Sequence, residues 1–447
     1  MFPRFLEFAS ELMRNQWRTR DEILRIQERK FLAMVRYAYA TVPFYNRKYR
    51  SAKLTPGDIA SIKDIRKLPF ITKDEAKTVP LEERMSRAIR IEECTVARTS
   101  GSTGEPLKVA IDGVSSDYIR AYHFRRFVAL GFKPWNKMIF LGSARRSIVT
   151  GNIVSSPAGG MFLGAMGHLL DHRARNLSID LSLRQQLGFL SAFQPTFILG
   201  PPSYFKILAK AVSDERWPIA PKKVLSWGEI LDTTARTAIK SGLGAEVFDG
   251  YGCTEVAPIG GLAWECTSHT GMHINADCVA LEFLKDGEPV SPNEGGEVVA
   301  TSLYRLGTPM IRYKLGDVGV PSDESCPCGR GFPLMKGLEG RTADFLFTPD
   351  GRIISPYAIF QLMEHIRGVL RFKVRQDAGD HIAVLVEKGT DFSDEDSRAL
   401  GQAFANLFGP TVTIDFTFVD RIEREKGKKF QAVTRDLPLD MSLLMGS

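Results

Sequence analysis

Apolar residues recur along this chain with two different periods, and the places where the period changes mark its organisation. Residues 20–51 carry helical spacing that closes at the Val42-Pro43-Phe44-Tyr45 turn. A loop with Pro56 and Gly57 leads to Leu68-Pro69-Phe70, after which Thr72 is placed to cap a helix containing Asp74 and Glu75. Another helix is predicted from Ser116 to Gly131, with Ser at its cap, Tyr118, Ala121, Tyr122, Phe127 and Leu130 on one side, and Gly at its end. Short buried strands then alternate with amphipathic helices. The strands are Met138–Leu141, Phe197–Gly200 and Lys223–Trp227, and the helices lie around 181–193 and 203–213. Such alternation favours a parallel sheet covered by helices. Residues 278–304 read differently, with Val279–Phe283 and Gly296–Ala300 flanking a Lys285-Asp286-Gly287 turn as antiparallel strands do. After about 345 comes a compact α+β segment. Its predicted elements are a strand at Ile353, a helix over Ile359–Ile366, strands at Phe372–Val374 and Ile382–Glu387, a helix near 394–408 and a strand over Val412–Val419. The chain is therefore α/β, with a large N-terminal and a small C-terminal domain and a boundary near 340–345.

Length and composition fit this division. At 447 residues the chain exceeds the size at which one core keeps growing. Its 44% apolar and 25% charged content is that of a globular enzyme. No window approaches the ~20 uninterrupted apolar residues that span a bilayer. The start, Met1-Phe2-Pro3-Arg4-Phe5-Leu6-Glu7, meets charge too early for a secretory leader, so a cytoplasmic location is expected. The net charge of +7 is unevenly placed, because residues 1–50 hold many more Lys and Arg than Asp and Glu. Two readings follow: a basic helix lying on an anionic surface, or a helical hairpin that packs its apolar stripe inward. The second is favoured, since no nucleic-acid motif accompanies the charge.

The strongest local signal is Thr99-Ser100-Gly101-Ser102-Thr103-Gly104-Glu105-Pro106. Glycines let backbone N–H groups approach an anion, and the hydroxyls add donors for phosphate oxygens. The Gly-Lys-Ser/Thr ending of the common nucleotide P-loop is missing. Asp249-Gly250-Tyr251-Gly252-Cys253-Thr254-Glu255 places an aromatic ring, two glycines, a hydroxyl and a carboxylate in one turn. A nucleotide site needs a stacking surface, a donor to the α-phosphate and a carboxylate for Mg²⁺, and Tyr251, Thr254 and Glu255 supply them. Ile311-Arg312-Tyr313-Lys314-Leu315-Gly316-Asp317 is read as a strand ending in a carboxylate able to take both ribose hydroxyls. Gly340-Arg341-Thr342-Ala343-Asp344 and the basic loop Arg424–Lys429 follow.

In this order the motifs resemble the acyl/aryl-CoA synthetase superfamily of adenylate-forming enzymes. The chain is most similar to the phenylacetate–CoA ligase branch, including its capsule-biosynthesis relatives. Tyr39–Tyr45, Leu68–Lys73, Thr308–Tyr313 and Cys326-Pro327-Cys328-Gly329-Arg330 also carry the resemblance. It implies an adenylating domain, 1–342, of mixed parallel sheets with helices and a small β subdomain, and a mobile C-terminal domain, 343–447. It implies ATP, Mg²⁺ and CoA as cofactors and a small, aromatic or apolar carboxylic acid as substrate. Transfer to an amine, sugar or carrier protein is the alternative. A homodimer is compatible with it; nucleic acid is not an expected partner. Thr99 to Gly104 would close over the β- and γ-phosphates, with Glu105 where many relatives carry Lys. Gly228 and Glu229 lie in the Ser226–Glu229 segment that would flank the adenine and acyl pockets. Asp249, Gly250, Tyr251 and Gly252 form the adenine turn, Thr254 would meet the α-phosphate and Glu255 the Mg²⁺. Asp317 would bind ribose, and Arg341 is the boundary arginine, with the hinge at Ala343 or Asp344. Lys428, or its neighbour Lys429, would bridge carboxylate and phosphate during adenylation.

Six cysteines in so long a chain do not make a disulfide framework. Cys266, His269, Cys326 and Cys328 form two short clusters with donors suited to a structural zinc. Cys94 and Cys278 read as core thiols and Cys253 as part of the nucleotide turn. His273 either lines the acyl pocket or packs in the core.

Overall fold

The computed structural model describes residues 2–98, 107–142, 173–179, 181–339, 346–350, 352–354, 358–359, 362–363, 366–422 and 432–437. The chain opens with helices α1 (Phe2–Asn15), α2 (Arg20–Thr41) and α3 (Pro43–Ser51). Thr19 caps α2 in a reciprocal box with Glu22, and Pro43 at the first position of α3 breaks the helix predicted as one piece. The hairpin packs inward: Phe5, Ala9 and Leu12 of α1 and Ile23, Phe31, Met34, Val35 and Ala38 of α2 are buried. The basic residues therefore occupy the outer face of a docked element. A buried network fixes it in place. The Arg125 guanidinium donates to both oxygens of Asp277 at 2.6 and 3.0 Å, to Asn275 Oδ1 at 2.7 Å and to the Leu12 carbonyl at 3.2 Å. Asn15 completes it by donating to Asp277 Oδ2 at 3.1 Å. Removing one partner of such a buried pair costs about 3–5 kcal/mol.

Two short helices, α4 (Lys73–Thr78) and α5 (Leu81–Arg84), precede the hairpin of β1 (Thr95–Arg98) and β2 (Lys108–Ile111). Helix α6 (Gly113–Ala129) begins earlier than predicted. Its cap is Asp112, whose Oδ1 accepts from the Ser115 N–H, and not Ser116. Strands β3 (Met138–Gly142), β4 (Ala174–Ser178), β5 (Phe197–Gly200), β6 (Lys223–Ser226) and β7 (Glu246–Phe248) form a parallel sheet in the order β4-β3-β5-β6-β7. Helices α7 (Leu183–Phe193), α8 (Pro202–Glu215) and α9 (Thr233–Leu243) cover it with buried residues such as Leu187, Leu190, Leu208 and Ile239. A second, antiparallel sheet follows: β8 (Gly250–Tyr251), β9 (Ala263–Glu265), β10 (Met272–Ile274), β11 (Val279–Lys285), β12 (Glu288–Pro289), β13 (Gly296–Ser302), β14 (Tyr313–Ser322) and β15 (Leu334–Glu339). Its order is β12-β11-β13-β14-β15-β10-β9-β8. The Asp286-Gly287 turn, with both residues at positive φ, joins β11 to β12, while β13 pairs with the other edge of β11. This corrects the expected direct hairpin between β11 and β13. Asp317 lies inside β14 and not at its end, next to Gly316 at φ +72°.

The C-terminal segment has its own apolar core, drawn from Leu346 to Val433. Beyond the small pair β16 (Leu346–Phe347) and β17 (Ile353–Ile354), strands β18 (Val369–Ala378), β19 (His381–Lys388), β20 (Thr413–Val419) and β21 (Val433–Arg435) pair in the order β20-β19-β18-β21. Helix α10 (Asp394–Phe408), capped by Ser393, contributes the buried Leu400, Phe404 and Phe408. The mixed α/β architecture expected from the sequence is present, with a separate small α+β domain behind it.

Candidate active site

The parallel sheet hands over to the antiparallel one at residues 249–255. Gly252 is enforced by packing, since a Cβ there would lie 2.7 Å from the Ala257 carbonyl oxygen and from the Ile259 nitrogen. The backbone of the turn is gripped from beneath. Arg305 donates to the Thr254 carbonyl at 2.7 Å and the Val256 carbonyl at 3.1 Å, and Tyr304 donates to Val256 at 3.0 Å. Sequence reasoning missed both residues, because a side chain that holds backbone carbonyls leaves no motif. Behind the turn, Glu265 accepts from the Asp249 N–H at 2.9 Å and from Arg236 on both oxygens at 3.0 Å. Asp249 accepts from Ser226 Oγ at 2.9 Å and from the Gly250 N–H at 2.8 Å, and desolvation pushes its carboxyl up to about 6. Its hydrogen bonds make Asp249 a brace for the turn.

The chemical groups converge in front of it. The Tyr251 hydroxyl donates to Asp317 Oδ2 at 3.0 Å, across 66 residues of sequence. The Tyr313 hydroxyl donates to Glu255 Oε1 at 3.2 Å, and Lys73 Nζ stands 4.0 Å from the same oxygen. Half-buried Thr254 separates the two pairs along the chain. Gly228, at φ +86°, and Glu229 follow β6 next to the Trp227 ring, which lies 5.4 Å from Phe140. Cys253 is half-buried against the main core, and burial raises its thiol far above the ordinary range. Thr99, Ser100, Gly101, Ser102, Thr103, Gly104, Arg341 and Lys428, with the hinge residues Ala343 and Asp344, lie outside the described residues.

The second cluster differs from its expected membership. Ligand atoms of Cys266, His273, Cys326 and Cys328 lie within 4.8 Å of one another. Cys266 Sγ is 3.5 Å from Cys326 Sγ, and Cys328 Sγ is 3.3 Å from His273 Nε2. His273 on β10 faces the Trp264 ring at 5.4 Å, and burial together with Arg330 and Arg125 pushes its imidazole down to about 4. His269, the expected fourth donor, points elsewhere. At φ +50° it is turned towards the parallel sheet, stacked 5.0 Å from Phe248, with Nε2 3.2 Å from Glu246 and Nδ1 3.5 Å from Glu265. Hydrogen bonding to Glu265 raises its pKa. Burial pushes Cys266 up to about 12; at Cys326 the same effect is outweighed by hydrogen bonds from Thr270 and its neighbours, which bring it to about 7. All six cysteines are free thiols. Cys278 is a core thiol as expected, whereas Cys94 is only half-buried.

With this geometry in place, the comparisons become specific. A family model described as "AMP-binding enzyme" matches residues 71–303, which span helix α4 with Lys73, the parallel sheet, the turn and the first strands of the antiparallel sheet. The chain belongs to the AMP-binding enzyme family. A second model, the CapK C-terminal domain, matches residues 346–436 of this AMP-binding enzyme. The chain is 28% identical to a phenylacetate-coenzyme A ligase of Thermus thermophilus over 352 residues, 73% of this chain and 72% of the relative. It is 28% identical to the enzyme of that name from Escherichia coli over 347 residues, with the same coverage. It is 22% identical to the protein CapK of Staphylococcus aureus, over 92% of this chain and 88% of that one. These similarities place it in the phenylacetate–CoA ligase and CapK branch of the adenylate-forming superfamily. A crystal structure of 2-hydroxyisobutyryl-CoA ligase with 2-HIB-AMP and CoA shares the fold, at a TM-score of 0.67 and 20% identity over 95% of this chain and 92% of that one.

Proposed function

We infer that this AMP-binding enzyme joins a carboxylic acid to CoA in two steps, through an acyl-AMP formed from ATP, and that the acid is aromatic or otherwise apolar. The observation that carries this reading is the hydrogen-bonded convergence of Tyr251 with Asp317 and of Tyr313 with Glu255 on one face of the turn. In it, Tyr251 stacks on adenine, Asp317 takes the ribose hydroxyls and Thr254 donates to the α-phosphate. Glu255 would hold Mg²⁺, which when bound neutralises part of the triphosphate charge; a carboxylate oriented by the Tyr313 hydroxyl supplies the hard oxygen ligand that this cation takes. The loop Thr99–Gly104 closes on the β- and γ-phosphates, Gly228 and Glu229 flank the nucleotide and acyl pockets, and Gly250 and Gly252 let the turn approach the base. A carboxylate attacking phosphorus brings anion towards anion, so the protein's part is positioning and positive charge. Lys428 supplies that charge from a C-terminal domain that begins near residue 343, pivoting past Arg341 to admit the thiol.

The donor set of Cys266, His273, Cys326 and Cys328 fits a structural zinc: three sulfurs and one neutral imidazole, with three of the four residues buried. No helix among the described residues is long and apolar enough to cross a membrane, and a cytoplasmic location is part of the same reading. A second acceptor class, an amine, sugar or carrier protein, is the alternative for this enzyme, whose C-terminal segment matches the CapK C-terminal domain. ATP–pyrophosphate exchange over aryl-acetic, benzoic and medium-chain acids, repeated with CoA, tests both. Exchange with CoA consumption supports the ligase; exchange that ignores CoA moves the acceptor to the second class; no exchange with any acid sinks adenylation.

A further inference from the structure

The two oxygens of the Glu255 carboxylate are treated differently. Among the described residues, its hydrogen bond and its charge contact both fall on Oε1: the Tyr313 hydroxyl at 3.2 Å and Lys73 Nζ at 4.0 Å. These two side chains come from segments 240 residues apart, yet a single strap delivers them together. Ile71 pairs with Tyr313 in a parallel bridge, its N–H donating to the Arg312 carbonyl at 3.0 Å and its carbonyl accepting from the Lys314 N–H at 2.9 Å. Phe70, one residue earlier, lies against the Arg312 guanidinium at 4.1 Å and the Lys314 ammonium at 4.7 Å. The strap is anchored on the strand that also carries Asp317, so Lys73 is fixed relative to the whole nucleotide turn. Tyr313 is itself buried, and a buried hydroxyl needs an acceptor.

We propose that Tyr313 and Lys73 are positioning residues that hold Glu255 by Oε1 and turn Oε2 towards the divalent cation of the nucleotide complex. The assignment rests on the functional reading above and adds to it two residues that bind neither base nor ribose. Groups that orient a metal-binding carboxylate without touching the metal typically change metal affinity by ~10–100-fold. The expected signature is a selective loss of metal affinity, with nucleotide stacking untouched.

The test uses the full-length protein and the variants Tyr313→Phe, Lys73→Gln and Lys73→Arg. Mn²⁺ binding to the protein–ATP complex is followed by electron paramagnetic resonance, and AMP binding is measured separately without metal. Tyr313→Phe and Lys73→Gln should each weaken Mn²⁺ about tenfold, leave metal-free AMP affinity unchanged, and raise by the same factor the Mg²⁺ needed for half-maximal pyrophosphate exchange. Lys73→Arg should recover most of the loss. Unchanged Mn²⁺ affinity in both variants overturns the proposal. So does a parallel fall in metal-free AMP affinity, which would mean the turn itself has collapsed. If Tyr313→Phe fails to fold, the two Lys73 variants decide alone. Selective Mn²⁺ loss in a protein whose wild type exchanges no acid would keep this inference and sink the ligase reading; intact exchange with unaltered metal dependence would do the reverse.

Discussion

The nucleotide turn and the Cys/His cluster share the antiparallel sheet, yet they are built differently. At the turn Tyr251, Glu255 and Tyr313 are buried while Thr254 and Asp317 stay partly exposed, and the groups are paired by hydrogen bonds, Tyr251 to Asp317 and Tyr313 to Glu255. In the cluster Cys266, His273 and Cys326 are buried and Cys328 half-buried, with two thiols 3.5 Å apart and an imidazole pushed down to about 4. A site that must exchange ligands keeps some of its groups within reach, as Thr254 and Asp317 are; a site that only has to hold a structural ion has no such need. Losses at the first should therefore be kinetic and confined to one half-reaction, and losses at the second should be thermodynamic and general.

Lys428→Ala offers the sharpest break in that contrast. It should lower ATP–pyrophosphate exchange by ~10²–10³-fold while thiolysis of supplied acyl-AMP continues. Equal loss of both half-reactions would remove Lys428 from its role. Glu255→Ala should also cost exchange ~10²–10³-fold, a loss far larger than the modest fall in melting temperature expected from leaving the buried Tyr313 hydroxyl without its acceptor. At the Cys/His cluster the pattern inverts. Chelation, or Cys326→Ser, should lower the melting temperature by roughly 5 °C or more and affect both half-reactions alike. Purified protein without near-stoichiometric zinc would remove the metal from the account. Within the cluster, His273→Ala should empty the site, whereas His269→Ala should leave the metal content as in the wild type; zinc analysis of the two distinguishes the donors directly.

The smallest effect concerns pH. His269 has its folded pKa raised by Glu265, so its charge stabilises the fold below the unfolded value of about 6.5, and that contribution disappears as pH rises through the folded value. The difference in stability between wild type and His269→Gln should therefore be largest in mild acid and shrink in alkali. Its side chain is one-third exposed, so the effect is modest. A difference that grows with pH would assign His269 a neutral role instead.

What could be read without coordinates follows from how local each feature is. Two of the covering helices, three of the parallel strands and the Thr72 cap are written in runs of consecutive residues, and the structure repeats them within a few positions, whereas helix Thr233–Leu243 and strand Ala174–Ser178 went unpredicted. The second helix of the N-terminal hairpin was legible in the same way, and its inward packing was favoured because an apolar stripe needs a partner. Other features depend on contacts across the chain. Nothing near Ser116 shows that Asp112 is the better cap, because the choice depends on which N–H groups the helix start leaves open. The Asp286-Gly287 turn was visible, but its partner strand was not, since two residues are enough to make β12.

The sequence alone pointed to the family, the order of its motifs and Tyr251, Glu255 and Asp317 as candidate site residues, because each signal lies in residues a few positions apart. Only the tertiary structure decided that His273 replaces His269 beside the three cysteines. Close spacing to Cys266 suggested the nearer histidine, but a positive-φ backbone turns that side chain to Glu246 and Glu265, while the strand pairing of β10 with β9 and β15 brings His273 in. It also decided that Lys73, Tyr313 and Arg305 converge on a turn far from them in sequence. Spacing along a chain constrains its neighbours; hydrogen bonds between distant strands and straps select the rest.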